Sequence, residues 1–326
     1  MRGRLAYVLP LRWTDDAGLA ELTAYLRWLR VRADVTVVDG SPPTVFAAHA
    51  AAWDGLVGHL RPDADLTFVN GKVNGVITGL RHPGSEHVVI ADDDVRYDDR
   101  ALAAIDRLLD DFDLVRPQNY FAPLPWHARW DTARTLLNRS VGVDYPGTFG
   151  IRRSTFARMG GYDGAVLFEN LEMVRTARVH GGLEHHAHDV YVRRIPPDSS
   201  QFWQQRVRQA YDELAQPARL VTFLAVWPAV LTTLATRRRR ELVTGVGLVI
   251  AFAEVGRRRG GGRSFFPASS TLLAPIWLAE RATCVWVALV LRVTGRGVSY
   301  GGRRILVAAH SERSLRALVR RQSASS

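Results

Sequence analysis

The segment His87–Val95, H-V-V-I-A-D-D-D-V, sets the terms for the rest of this chain. Val88, Val89 and Ile90 form a β-branched run of the kind buried on both faces of a mostly parallel sheet, and the run stops at three consecutive carboxylates, Asp92, Asp93 and Asp94. Adjacent acids repel one another. In open α/β sheets ligands gather at the carboxyl ends of strands, so a carboxylate cluster there points to a divalent cation with something anionic beyond it. Strand alternation places Asp92 and Asp94 on one side and Asp93 on the other. Two hard oxygen donors on one side suit Mg²⁺ or Mn²⁺, whose other positions are usually filled by water and phosphate oxygens. Taken alone, D-D-D is equally a solvated loop or a helix cap, because Asp98, Asp99 and a helical pattern follow. Its place behind a buried strand favours the first reading.

The segments before it read as a β-α-β unit. Leu5–Leu9 is a first strand, and Thr14-Asp15-Asp16 offers a cap to a helix with Leu19, Leu22, Leu26 and Leu29 at helical spacing. Asp34–Asp39 is a second strand that ends in Asp39-Gly40-Ser41, where a nucleotide's base or ribose is commonly held; D-G-S-P-P is also plain turn chemistry. Leu66–Val69 reads as a third short strand, followed by Asn70-Gly71-Lys72-Val73-Asn74-Gly75. Gly71 allows a close backbone approach to a ligand, and Lys72 could neutralise a phosphate, although the full phosphate-loop pattern is missing.

Beyond the acidic centre, Arg100–Leu109 is helical, Asp113–Arg116 opens a strand, and Trp126–Leu137 reads as irregular or partly helical. Trp126 and Trp130 are expected in the core, since large aromatics are usually buried. Gly147–Ile151 is a strand and Gly160–Gly164 a glycine-rich turn. Glu169-Asn170-Leu171-Glu172 opens a helix with Glu169 and Glu172 on one face, a placement that also simply complements a helix dipole. His186 and His188 would point the same way on a strand; a partly exposed strand face explains them better than a zinc site, because no further ligands at familiar spacing accompany them. Gln205, Arg206 and Arg208 are either one face of a membrane-touching amphipathic helix or a pyrophosphate clamp, since guanidinium groups match phosphate oxygens bidentately.

From Leu220 the texture changes. Leu220–Ala235, Leu242–Ala253 and Thr271–Leu291 are apolar runs, separated by Arg237–Arg240 and Arg257–Arg259. The first and third are long enough to cross a bilayer core and the second is marginal. Glu280 and Arg281 interrupt the third, and a charge near a bilayer centre costs about 2.5–3.5 kcal/mol on the insertion scale. Basic blocks after both of the first two runs cannot both be cytoplasmic if each run crosses, which leaves in-plane helices open, and buried soluble helices remain the plainer alternative. The net charge of +11 favours anionic partners, and the single cysteine, Cys284, excludes an internal disulfide framework. That cysteine usage makes a cytoplasmic setting for the folded part the simplest expectation, and the run after Met1-Arg-Gly-Arg, too short for a signal peptide's core, reads better as a first strand.

In order and spacing these motifs resemble the family 2 glycosyltransferases of the GT-A fold, specifically the membrane-associated ceramide glucosyltransferase-like branch. The resemblance implies an α/β fold, Rossmann-like, with a mostly parallel sheet flanked by helices over residues 1–213. A helical membrane-associated region follows over 214–326. It implies that Asp39 holds the nucleotide's base, that Lys72 belongs to the glycine-lysine segment, and that Asp92-Asp93-Asp94 is the D-x-D signature. In that signature Asp92 approaches the nucleotide, and Asp92 and Asp94 bind Mg²⁺ or Mn²⁺. Gln205-Arg206-Val207-Arg208 matches the family's Q-Q/R-x-R-W motif, with Gln209 in place of tryptophan. Gly297–Arg303 resembles the short segment after the last membrane helix. In the family an aspartate after the glycine-rich turn deprotonates the acceptor; here Asn170 occupies its position, so Glu169 or Glu172 takes the role or the chemistry differs. Glu-Asn-Leu-Glu also looks like a segment of the retaining polypeptide N-acetylgalactosaminyltransferases. The implied partners are a nucleotide-sugar donor, such as a UDP-sugar, a lipid or membrane-linked acceptor and the membrane itself, with no nucleic acid. The implied place is the cell membrane, with the catalytic part on its cytoplasmic side. The alternative is a membrane-bound protein that binds nucleotide sugar without turnover.

Overall fold

The computed structural model describes residues 4–300 and 302–324. Met1–Gly3 of the charged N-terminus and Gly301 of the Gly297–Arg303 motif lie outside the described residues. The strands are β1 (Ala6–Leu11), β2 (Asp34–Asp39), β3 (Gly58–Leu60), β4 (His87–Ala91), β5 (Val95–Arg96), β6 (Leu114–Phe121), β7 (Thr148–Arg152), β8 (Glu184–Arg194), β9 (Val298–Tyr300) and β10 (Arg303–Ile305). The helices are α1 (Leu19–Leu29), α2 (Pro43–Trp53), α3 (Gly71–Arg81), α4 (Asp99–Leu108), α5 (Trp126–Val141), α6 (Arg153–Met159), α7 (Glu169–Val179), α8 (Ser199–Tyr211), α9 (Pro217–Ala235), α10 (Arg239–Arg258), α11 (Ser269–Leu272), α12 (Ala274–Val293) and α13 (Glu312–Ala324).

One sheet has the order β3-β2-β1-β4-β7-β6-β8-β5, and β9 and β10 form a separate antiparallel pair. β1 runs parallel to β2 and β4, and β2 parallel to β3. Helices α1, α2 and α3 follow β1, β2 and β3 in turn and supply the crossovers that parallel neighbours require. β7 is antiparallel to both β4 and β6, so the sheet is mixed rather than mostly parallel. A buried run such as Val88-Val89-Ile90 has the same composition whichever way its neighbour runs, and strand direction was not legible in it.

The chain packs as two compact units, the first made of Met1–Pro117, Tyr145–Ala187 and His310–Ser326, the second of Gln118–Asp144 and His188–Ala309. The boundary expected at 213 falls inside the second unit.

In the first unit, Val73, Val76, Ile77 and Leu80 recur at helical spacing along α3. They share a core with Ala6 and Val8 of β1, Val88 and Ile90 of β4, and Phe149 and Ile151 of β7. Each of the larger side chains contributes roughly 1.5–3 kcal/mol on burial. Helix α3 lies unusually close to β1 because two of its residues lack a side chain. A Cβ on Gly79 would stand 2.4 Å from Val8 Cγ1, and one on Gly75 2.8 Å from Pro10 Cβ. The first turn of α3 is thereby fixed beside the carboxyl end of β1. Leu66–Val69 is not a strand: the Asn74 side chain accepts from Phe68 N (3.2 Å) and donates to Phe68 O (3.1 Å), taking the groups a neighbouring strand would use. Helix α1 starts after Gly18, and Asp15 instead accepts from Ala17 N.

In the second unit, Trp126–Val141 is a regular helix. Its Arg139 is fully buried, with Nε donating to Gly256 O (3.1 Å) and Nη2 to the Tyr191 hydroxyl (2.7 Å). Helices α9 and α12 are each long and apolar enough to cross a membrane; little of α9 is fully buried, and about one-third of α12 is. The marginal run Leu242–Ala253 lies in α10, which does not meet that measure among the described residues.

Candidate active site

Lys72 stands in the first turn of α3, which Asn70 caps by accepting from Lys72 N (3.1 Å). Its ammonium lies 2.7 Å from Asp92 Oδ1 and donates to Glu169 Oε1 (3.0 Å) and Asn170 Oδ1 (3.0 Å). One cation thus joins the end of β4 to the first turn of α7. Burial opposes the charge on Lys72, but the carboxylates of Asp92 and Glu169 outweigh it and hold the ammonium protonated well beyond the usual lysine range.

β4 ends at Ala91, and a turn closed by Val95 N donating to Asp92 O (3.1 Å) follows. Strand alternation therefore does not govern Asp93 and Asp94, and the expected common face for Asp92 and Asp94 does not follow from it. Asp93, expected to face away, accepts from Trp13 Nε1. Trp13 N in turn donates to Ser41 Oγ (2.9 Å), so one residue after β1 ties the acidic turn to the loop after β2. Burial pushes the Asp93 carboxyl up, and the neighbouring charge of Asp92 adds to the shift against the Trp13 hydrogen bond.

Asp39, expected to face a nucleotide base, is fully buried with its oxygens engaged. Oδ1 accepts from Ser41 N (2.8 Å), and Oδ2 stands 2.6 Å from His49 Nδ1 and 3.1 Å from His59 Nε2. Burial would raise its pKa, but the hydrogen bonds from His59, Ser41 and His49 prevail and hold the carboxylate far below its ordinary value.

The two glutamates of α7 have different surroundings. Glu169 is partly exposed beside Lys72, whereas Glu172 is fully buried and accepts from His310 N (2.7 Å), with His310 Nδ1 2.9 Å from its other oxygen. The glycine-rich turn before them starts where Gly160 ends α6 in the left-handed conformation, φ 66°, a position glycine fills without strain.

In the second unit, Gln205, Arg206 and Arg208 lie on α8. Arg206 is buried between Asp131 (2.9 Å) and Glu280, so its guanidinium is already committed to two carboxylates. Arg208 lies over the Tyr300 ring at 5.3 Å. Trp126, expected in the core, is 53% exposed beside the equally exposed Trp203, their ring centroids 6.1 Å apart. His186 stands 2.8 Å from Glu184 Oε1, as a strand-face residue would.

Trp13, His49, His59 and His310 do not stand among the residues the sequence singles out. Trp13 carried one usable signal, its position just past the carboxyl end of a strand; the histidines carried none, being isolated in sequence from the acids they meet.

No protein-family model matches the chain, and no curated protein matches it. Among solved structures it is similar to a mannosyltransferase from Pyrobaculum calidifontis determined with GDP-Man and Mn²⁺, at 18% identity and TM-score 0.55, covering 88% of each chain. It is also similar, at lower TM-scores, to glucosyl-3-phosphoglycerate synthase from Mycobacterium tuberculosis (13%, TM-score 0.42, 64% of this chain and 78% of that one) and to mannosyl-3-phosphoglycerate synthase from Rubrobacter xylanophilus (15%, TM-score 0.43, 67% and 75%). The likeness to the first is one of fold: the chain is built on a mixed α/β architecture of the GT-A type.

Proposed function

We propose that the chain is a metal-dependent glycosyltransferase that moves a sugar, with inversion, from a nucleoside diphosphate sugar to a hydroxyl of a lipid or membrane-linked acceptor. The observation that carries this reading is Lys72, whose ammonium joins Asp92 of the acidic turn to Glu169 of α7. A cation and an acid from two helix first turns, brought to the acid at the carboxyl end of β4 in a fold shared with a mannosyltransferase, fit a diphosphate leaving group and an activated hydroxyl.

Asp92 and Asp94 offer hard carboxylate oxygens in the turn that follows β4, the donor type that Mg²⁺ or Mn²⁺ takes, so the cation fits these residues. When bound, the cation would neutralise charge on the departing diphosphate. The acceptor oxygen bonds to the anomeric carbon while the bond from that carbon to the phosphate oxygen breaks, its electron pair leaving with the nucleoside diphosphate. The acceptor proton passes to Glu169. Lys72 occupies Oε1 of that glutamate, leaving Oε2 to receive the proton. Asn170 holds Lys72 in place through its amide oxygen. Glu172 takes no proton in this scheme, because it is buried against His310. Diphosphate contacts by Gln205 and Arg208 rest on the sequence motif alone.

Helices α9 and α12 support a place at the membrane; the cytoplasmic side for the catalytic part rests on the sequence resemblance alone. One observation favours a second reading, nucleotide-sugar binding without turnover: Asn170 stands where the resemblance places the catalytic aspartate. Membranes carrying the full chain, incubated with Mn²⁺ and a panel of UDP- and GDP-sugars, separate the two by mass detection of a glycosylated lipid. Product supports transfer; donor binding without product supports the second reading.

A further inference from the structure

Asp39, His49 and His59 bring three potential metal-binding atoms within 4.8 Å of one another. They come from the end of β2, from α2 and from β3, so the cluster closes the carboxyl end of the sheet's edge. Asp39 and His49 are fully buried and the His59 side chain is only 8% exposed. Aromatic rings fix both imidazoles: His49 stacks on Trp53 and meets the edge of Trp13, and His59 stacks on Phe46.

Without a second proton on His49 or a bound cation, this cluster is unbalanced. If both imidazoles are neutral and each donates to Asp39 Oδ2, His49 Nε2 is left as a bare lone pair. That atom makes no hydrogen bond and faces another acceptor, Asp16 Oδ1, at 3.4 Å. A cation held by Asp39, His49 Nδ1 and His59 Nε2 removes the conflict, since His49 then carries its proton on Nε2 and directs it at Asp16. This is the arrangement usual for a ligating histidine, whose second nitrogen donates to a carboxylate. Ligands bonded to tetrahedral zinc at about 2.0–2.1 Å stand roughly 3.3 Å apart; Oδ2 lies 3.1 Å from His59 Nε2, close to that spacing, and 2.6 Å from His49 Nδ1, a pair that opens on taking up the ion.

We propose that Asp39, His49 and His59 form a zinc site, distinct from the oxygen-only acids at Asp92–Asp94 that suit Mg²⁺ or Mn²⁺. Two imidazoles and a carboxylate are a borderline-soft donor set, and a solvent molecule completes the tetrahedron. The ion pins α2 and β3 to the end of β2. This site stands whether or not the chain transfers sugar.

The test uses the full chain, purified in detergent and dialysed against metal-free buffer, with zinc measured by mass spectrometry of the elements. The apoprotein is then titrated with Co²⁺, whose visible absorption reports tetrahedral nitrogen and oxygen ligands. The expected result is stoichiometric zinc in the wild type and in Asp92→Asn/Asp94→Asn, a tetrahedral Co²⁺ spectrum, and loss of both signals in Asp39→Asn and His59→Gln. Wild type that retains no zinc and gives no tetrahedral spectrum overturns the site. So does His59→Gln, folded by circular dichroism, with undiminished zinc, or zinc that disappears with the Asp92/Asp94 changes. If both cluster variants fail to fold, the wild-type Co²⁺ spectrum decides.

Discussion

Lys72 meets two segments that lie far from it in sequence, and its charge is what lets two carboxylates, Asp92 and Glu169, stand close together. Removing an acid from the neighbouring turn should therefore show up in cation binding rather than in folding. Asp94 is partly exposed in that turn, so Asp94→Ala is expected to keep the wild-type far-ultraviolet circular dichroism and to lose Mn²⁺-dependent binding of a nucleotide sugar. Calorimetry showing the same donor affinity in wild type and mutant, with and without Mn²⁺, would remove Asp94 from the cation site. At this scale Asp92–Asp94 were legible as acids at a strand end and Lys72 as a cation beside a glycine, although the strand expected before Lys72 is not one. Their mutual contact was not, because it depends on how α3 packs against β1. Asp39 was legible as an acid after a strand, but its burial was set by His49 and His59, which no local pattern links to it.

Helices and strands were most legible where apolar periodicity was clean, as in β2, β4, α4 and α7. Helix α5 was obscured because much of what it buries is polar. Asp131 pairs with Arg206 and Arg134, while Thr135 and Asn138 both donate to Asp144, so the buried face carries no hydrophobic stripe. Strand β8 shows a similar economy of charge. Glu184, at its start, is bound by Arg116 of β6 (2.8 Å), Arg178 of α7 (2.6 Å) and His186 (2.8 Å). Burial alone would raise its pKa, but the hydrogen bond from His186 and the charge of Arg116 bring it down to about 2. A depressed carboxylate contributes stability that is complete above its unfolded value, near 4.5, and is lost as pH falls through about 2. Glu184→Gln should therefore cost about 3 kcal/mol at pH 7, the worth of such a shift, and progressively less below pH 4.5. Urea unfolding of wild type and mutant across that range checks it. A gap that stays constant down to pH 2 would mean that the ion pairs are not its source.

The division of the whole molecule was the least legible feature, because the two units interleave along the chain. The change of composition at Leu220 marks where apolar helices begin, whereas packing returns His310–Ser326 to the first unit. There His310 binds Glu172, and Glu312 lies 3.4 Å from Arg178. In the second unit, exposed apolar residues such as Val221, Leu231 and Leu234 of α9 and Val290 and Val293 of α12 have no partner chemistry in water. The full chain is expected to sediment with membranes and to resist a high-salt wash; release by salt alone would mean that its arginines, not these helices, hold it there. Transfer with Glu169 as the proposed base is tested by the turnover and donor affinity of Glu169→Gln beside Glu172→Gln. Glu169→Gln is expected to lose turnover by about 10²–10⁴-fold with donor affinity unchanged, while Glu172→Gln, which disturbs the His310 contact, is expected to lose stability more than turnover per folded molecule. Full turnover in Glu169→Gln would contradict that role.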